Sequence, residues 1–328
     1  MTTMHAILPG PEMQWAETER PEPGPGEVRI RVAATAVNRA DLMQAAGRYP
    51  PPPGASPILG LECAGVVEAV GEGVTEVAVG DRVGALLAGG GYAEHVVCPG
   101  AHTLPLPDDM DFVTGAALPE VLTTAFLNLR IEAGLQPGER VLLHAGASGV
   151  GTTALQLCRA WGNPTWVTVG SADKVQTCMG YGADGGSNRH DGPWVDDVMS
   201  WTEGQGVDVV LDPVGQGYVA EDQKALAIGG RIVLIGLLGG RSETIDLGRM
   251  LVKRQRLIGS VLRARSDQEK AEILARLRAE AWPLVEDGTL APHVHEVMSI
   301  EDAKAAHALI ASNATTGKVM LKVPGFGP

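Results

Sequence analysis

From residue 27 onward apolar and polar positions alternate. Val28, Ile30 and Val32 are separated by Arg29 and Arg31, the period of two that a strand with one buried face requires. Shorter apolar runs follow at 64–70, 82–87 and 92–98, bounded by Gly, Pro or Asp, so the first third predicts antiparallel β structure. After Pro137-Gly138 the pattern changes. Val141-Leu142-Leu143 is a continuous apolar run, and Val150, Ala154, Leu157, Cys158 and Trp161 then recur at helical spacing. Strands are expected again at 165–169, 207–211, 231–235 and 256–262, with helices such as 172–179 and 193–202 between them, an alternation that predicts a parallel, doubly wound sheet. The last part predicts a charged helix over 267–286, a helix opened by the capping box Ser299-Ile300-Glu301-Asp302, and a final strand at 318–323.

A chain of 328 residues exceeds what one core fills, so two domains are expected. The content, 45% hydrophobic and 20% charged with 43 glycines, is that of a turn-rich globular α/β protein. A net charge of −13 excludes broad electrostatic binding to nucleic acid or to an anionic membrane, since both need a basic surface. Residues 1–11 lack a signal-peptide pattern and no 18 apolar residues run together, which leads to the expectation of a cytoplasmic protein. Cys63, Cys98, Cys158 and Cys178 form no C-x-x-C pair and read as small core fillers rather than a disulfide framework or a zinc site. The one close histidine pair, His293 and His295, reads as surface.

The segment His144-Ala145-Gly146-Ala147-Ser148-Gly149-Val150-Gly151 lies between the buried strand and the amphipathic helix, where a dinucleotide-binding turn belongs. Its fingerprint is Gly146, Ser148, Gly151, with serine at the second glycine position; Gly149 is expected to supply compensating freedom, and the helix start to present amides to phosphate. About 20 residues on, where NAD selectivity calls for an acid, the chain has Gly170-Ser171. A 2′-phosphate would meet Ser171, Lys174 and Arg189 there, which favours NADPH (NADP+) as cofactor, while Asp173 alongside argues for ordinary surface charge. Gly236 and Leu237, after the strand at 231–235, fall at the carboxyl edge of the sheet, beside the nicotinamide. The prolines at 50–53 stiffen a loop that would position Tyr49.

At Val37-Asn38-Arg39-Ala40-Asp41-Leu42-Met43, Gly47-Arg48-Tyr49-Pro50-Pro51-Pro52-Pro53-Gly54-Ala55-Ser56, Ile58-Leu59-Gly60-Leu61-Glu62, Leu118-Pro119-Glu120 and Gly259-Ser260-Val261-Leu262-Arg263-Ala264-Arg265 the chain resembles the zinc-independent quinone oxidoreductases of the medium-chain dehydrogenase/reductase superfamily. The resemblance covers essentially the whole chain. It implies an α/β protein with a GroES-like β-rich catalytic domain (1–122 and 263–328) and a Rossmann doubly wound parallel sheet (123–262), the active site lying in the cleft between them. It implies no metal, because Asn38 and Leu61 stand where zinc-dependent relatives have a cysteine and a histidine. It places Asn38 on the nicotinamide ribose and Thr123 on a cofactor phosphate; Leu262 is expected along the ring and Lys318 among the cofactor-binding residues. Asp41 supports the Asn38 segment or caps a short helix at 40–47. Tyr49, Asn38 and Asp41 form the catalytic set, with Tyr49 donating a hydrogen bond to the developing oxyanion or packing as a loop aromatic.

The activity expected is NADPH-dependent reduction of a small-molecule quinone or related electrophile, with no nucleic-acid or membrane partner. Two alternatives stand beside it: an enoyl-thioester or alkenal reductase on the same scaffold, and a non-catalytic NADPH-binding redox sensor. A homodimer or homotetramer is expected, joined edge to edge through the strand near 231–235.

Overall fold

The computed structural model describes residues 2–326, which divide into two compact units. Among the described residues, one unit comprises 2–123, 263–286 and 291–326, and the other 124–262 and 287–290. In the first, β1 (Thr3–Ile7) pairs with β2 (Trp15–Glu19). It also holds β3 (Glu27–Val37), β4 (Glu62–Val70), β5 (Arg82–Leu86), β6 (His95–Pro99) and β7 (Thr103–Pro105). The second unit holds β8 (Val141–His144), β9 (Thr165–Val169), β10 (Gly185–Asn188), β11 (Val207–Asp212), β12 (Leu226–Leu234) and β13 (Arg256–Gly259). The chain then returns to the first unit for β14 (Val294–Ser299) and β15 (Lys318–Lys322).

The first unit's main sheet runs β14-β15-β3-β4-β5-β7, with β6 also on β3; every pairing is antiparallel except β14 with β15. The alternation at 28, 30 and 32 puts Val28, Ile30 and Val32 in the core with Val67, Val83, Val96 and Ile310. The second unit's six strands are all parallel, in the order β10-β9-β8-β11-β12-β13, and their apolar runs are buried on both faces, as at Val141, Leu142 and Leu143. This is the α/β fold expected, a GroES-like unit and a Rossmann-like parallel sheet of the doubly wound strand order.

Some elements differ from the sequence pattern. The charged helix ends at Glu280 and a separate turn begins at Pro283, because proline lacks the N–H that would continue the ladder. Ser299 caps a 3₁₀ turn, Ile300–Asp302, by accepting from Glu301 N at 3.3 Å, and the α-helix starts at Ala303. The strand over 231–235 is the second half of β12 and lies between β11 and β13, so it is interior; the edges of that sheet are β10 and β13, and an edge-to-edge assembly has to use one of those. No helix among the described residues is long and apolar enough to cross a membrane.

Candidate functional site

The strand β8 ends at His144, and the chain reverses through Ala145, whose φ of 51° is the left-handed value in the turn. Gly149, expected to provide that freedom, is instead the first residue of the helix Gly149–Trp161. Gly146 is required by space: a Cβ there would lie 2.6 Å from Val167 Cβ. A Cβ on Gly151 would meet the Gly146 carbonyl oxygen at 2.4 Å. Ser148 resolves the departure from the glycine pattern, since its Oγ accepts from Gly151 N at 3.0 Å and caps the helix. Turned back onto its own helix, the Ser148 side chain sits at an exposed position, with Gly146, Ala147 and Gly149 buried and Val150 half-buried. An anion is favoured at such a terminus by the unpaired first-turn amides and the positive end of the helix dipole.

At the end of β9, Ser171 Oγ accepts from Lys174 N at 3.4 Å and caps the helix Ala172–Gly180. The Arg189 guanidinium passes over Gly170 so closely that a Cβ there would be 3.2 Å from its nearest nitrogen. Burial and the Arg189 charge both push the Lys174 ammonium below its usual pKa. A lysine held below its usual pKa by burial and by a neighbouring arginine charge, with no carboxylate ending the strand, makes a place where a dianion is favoured. Asp173 is exposed.

Beneath the turn lies a pair that sequence reasoning missed. His144 Nε2 is 2.7 Å from Asp222 Oδ1 and Nδ1 is 2.7 Å from Thr168 Oγ1, with both side chains of the His144–Asp222 pair fully buried. Trp194 and Tyr218 meet the imidazole edge-on at 4.8 and 4.7 Å. Burial outweighs the histidine and pushes the Asp222 carboxyl up to about 6; its Oδ2 is buried without a hydrogen-bond partner. Only the apolar run around His144 hinted at this, because 78 residues separate it from Asp222.

Gly236 follows β12 at the carboxyl edge, where a Cβ would come within 2.7 Å of the Pro213 carbonyl oxygen, and Leu237 is exposed beside it. Leu262 is buried. Thr123 is fully buried, and its hydroxyl donates to Pro119 O at 2.5 Å, so that hydrogen is committed within its own helix rather than offered to a phosphate.

In the first unit, Asn38 and Asp41 form a capping box on the helix Arg39–Ala45, so Asp41 does cap that helix. Asp41 also accepts from Gly60 N at 3.0 Å. Burial drives its carboxyl up to about 6, against the lowering effect of those amides and of the Lys318 charge. The Asn38 side chain is held by Glu62, a residue of the quoted motif to which the sequence assigned no role: Asn38 Nδ2 donates to Glu62 Oε1 at 2.8 Å. Lys318 Nζ donates to Asn38 Oδ1 at 2.6 Å and to Glu62 Oε1 at 2.7 Å, and Glu62 Oε2 accepts from Glu120 N at 2.9 Å. Lys318 thus orients Asn38; the sequence signals for Glu62 were its place in the motif Ile58-Leu59-Gly60-Leu61-Glu62 and an acid opening an apolar strand. Tyr49 is half-buried, and burial and the Glu120 charge raise its phenol pKa against the pull of Arg263.

Two family models match the chain: the alcohol dehydrogenase GroES-like domain over residues 24–108 and the zinc-binding dehydrogenase over residues 149–278. The chain is 33% identical over 320 residues to the human synaptic vesicle membrane protein VAT-1 homolog, covering 93% of this chain and 81% of that one. It is 32% identical over 315 residues to a mycocerosic acid synthase-like polyketide synthase of Mycolicibacterium smegmatis; this takes in 96% of the chain but only 15% of the synthase. The crystal structure of Escherichia coli quinone oxidoreductase complexed with NADPH superposes with a TM-score of 0.85 at 29% identity, over 98% of this chain and 100% of that one.

The residues here do not fit the zinc named by one of those family models. Leu61 offers no donor atom, the Asn38 amide is engaged by Glu62 and Lys318, and burial pushes the Cys98 and Cys158 thiols up to about 12, away from the thiolate that zinc takes. Among the described residues no three His, Cys, Asp or Glu side chains gather to hold a metal ion.

Proposed function

The chain belongs to the medium-chain dehydrogenase/reductase superfamily, and within it we propose an NADPH-dependent quinone reductase. The observation that carries this reading is the Asn38 amide locked between Glu62 and Lys318 where the resemblance puts a metal ligand in zinc-dependent relatives. Without a Lewis acid, a simple ketone is a poor hydride acceptor, whereas a quinone stabilises the charge it receives on an aromatic product. The capped turn at 146–151 holds the pyrophosphate, and Ser171, Lys174 and Arg189 take the 2′-phosphate that distinguishes NADPH from NADH. The NADPH complex of the similar E. coli quinone oxidoreductase supports the same cofactor.

When bound, NADPH supplies the hydride, two electrons and a proton, and the quinone becomes a hydroquinone monoanion that takes its second proton from water. Asn38, oriented by Lys318 and Glu62, binds the nicotinamide ribose. Tyr49 keeps its proton at neutral pH and donates a hydrogen bond to the oxygen on which charge develops. A place in the p53-inducible branch of the quinone oxidoreductases, a cytoplasmic location and a homodimer or homotetramer joined through β13 complete the proposal.

The likeness to polyketide synthases favours one second reading, hydride delivery to an enoyl thioester. Following NADPH oxidation with ortho-quinones, para-quinones and enoyl thioesters separates the two. Turnover on quinones supports the first; turnover confined to thioesters replaces it with the second, and tight NADPH binding with no turnover on any acceptor leaves a redox sensor.

A further inference from the structure

The loop that carries Tyr49 has little structure of its own. Its backbone bonds are those of turns, Gly47 N to Gln44 O at 2.9 Å, Arg48 N to Met43 O at 2.9 Å and Ala55 N to Pro52 O at 3.1 Å. The four prolines at 50–53 have no N–H to add. Prolines restrict the loop's shape, but they do not fix where it sits.

Arg263 fixes it. The Nε of this buried residue donates to Ala88 O at 2.9 Å and Nη2 to Gln44 Oε1 at 2.6 Å, while Nη1 reaches the Tyr49 carbonyl oxygen at 3.5 Å. The guanidinium carbon lies 5.2 Å from the centroid of the Tyr49 ring, within cation–π range. Gln44 extends the hold to the far end of the loop, its Nε2 donating to Pro57 O at 3.1 Å. One planar fork therefore ties the segment at Ala88, the helix carrying Gln44 and the loop's first aromatic residue. We infer that Arg263 is a positioning residue that holds the Tyr49 phenol in place through this clamp. Its value to the reaction rests on the reading of Tyr49 as the hydrogen-bond donor. A lysine at 263 keeps the charge but lacks donors in a fixed fork, so it cannot satisfy the three acceptors together.

The test uses the full chain with Arg263→Lys and, as a variant that leaves the arginine in place, Gln44→Ala. Trypsin cuts after Arg48, which is exposed, so the rate of cleavage at Arg48–Tyr49 reports the loop directly. Both variants are expected to be cut about tenfold faster than the parent, with the apparent KM for NADPH within about twofold. Arg263→Lys should lower kcat on a quinone by about ten- to a hundredfold, and adding Tyr49→Phe should deepen that loss little, because the two act as a unit. An unchanged cleavage rate in both variants, or losses that simply multiply, overturns the clamp. If Tyr49→Phe turns over like the parent while both clamp variants are still cut faster, the clamp stands and the reading of Tyr49 as donor falls.

Discussion

Asp222 is the clearest case of a single residue whose surroundings govern a measurable property. Its carboxyl ionises at about 6 in the folded protein instead of near 3.8, because burial disfavours the charge more than His144 restores it. Between about pH 4 and pH 6 the native state then binds more protons here than the unfolded chain, so this group's contribution to stability is full below pH 4 and is lost as pH rises through 6. Asp222→Asn, which is neutral throughout, is expected to gain stability relative to the parent as pH rises over that window, by up to about 2–3 kcal/mol. Urea denaturation of both proteins at pH 4.5 and pH 7 measures it, and a difference independent of pH refutes it. His307, pushed down to about 4 by burial, acts in the opposite sense, but it is common to both proteins and cancels. At the same scale, Lys174→Ala with Arg189→Ala should reduce the preference for NADPH over NADH by about ten- to a hundredfold, since each cation contributes a charge-assisted contact to the 2′-phosphate. Equal affinity changes for the two cofactors by calorimetry would contradict the assignment. Ser171 and Lys174 were singled out in the sequence by their distance past the glycines, and Arg189 by the loop that follows. The His144–Asp222 and Glu62–Lys318 pairs were not, because partners separated by 78 and 256 residues leave no local spacing to read.

Among elements, the turn from β8 into its helix depends on closeness more than on flexibility. Gly146→Ala would set a methyl carbon 2.6 Å from Val167 Cβ, which neither backbone can accommodate without moving the turn. The expected result is loss of most NADPH affinity together with a stability loss of about 1–3 kcal/mol, checked by calorimetry and thermal melting. Ser148→Gly should be milder. It removes the cap on Gly151 N at a stability cost of a few tenths of a kcal/mol and leaves cofactor binding within about threefold. A larger fall in affinity would mean that the hydroxyl meets the cofactor itself. The element pattern was visible because parallel strands are continuous apolar runs and amphipathic helices repeat near 3.6 residues. What escaped it were ends decided by hydrogen bonding: Gly149 was expected to loosen the turn, yet it lies inside the helix and Ala145 takes the left-handed φ.

For the whole molecule, the parallel sheet leaves β13 paired on one side only, and the helix Leu247–Lys253 leading into it buries none of its residues. Leu251 and Val252 are 78% and 82% exposed, with Leu257 and Val261 also exposed on or just after β13. A second copy pairing there would cover an open strand edge and an apolar patch together. Leu251→Lys with Val252→Lys is therefore expected to shift the protein to monomer in sedimentation velocity while leaving NADPH binding unchanged; a parent that is already monomeric refutes the assembly. The amino-acid sequence by itself determined the alternation of strands and helices and the glycine-rich turn between a buried strand and its helix, because each is written in neighbouring residues; that Asn38 and Leu61 stand at zinc-ligand positions came from the family resemblance and not from any local pattern. Only the tertiary structure decided which strand is an edge and which buried charges meet. Strand order and long-range ion pairs depend on how distant segments come together, and an apolar run reads the same at the centre of a sheet as at its rim.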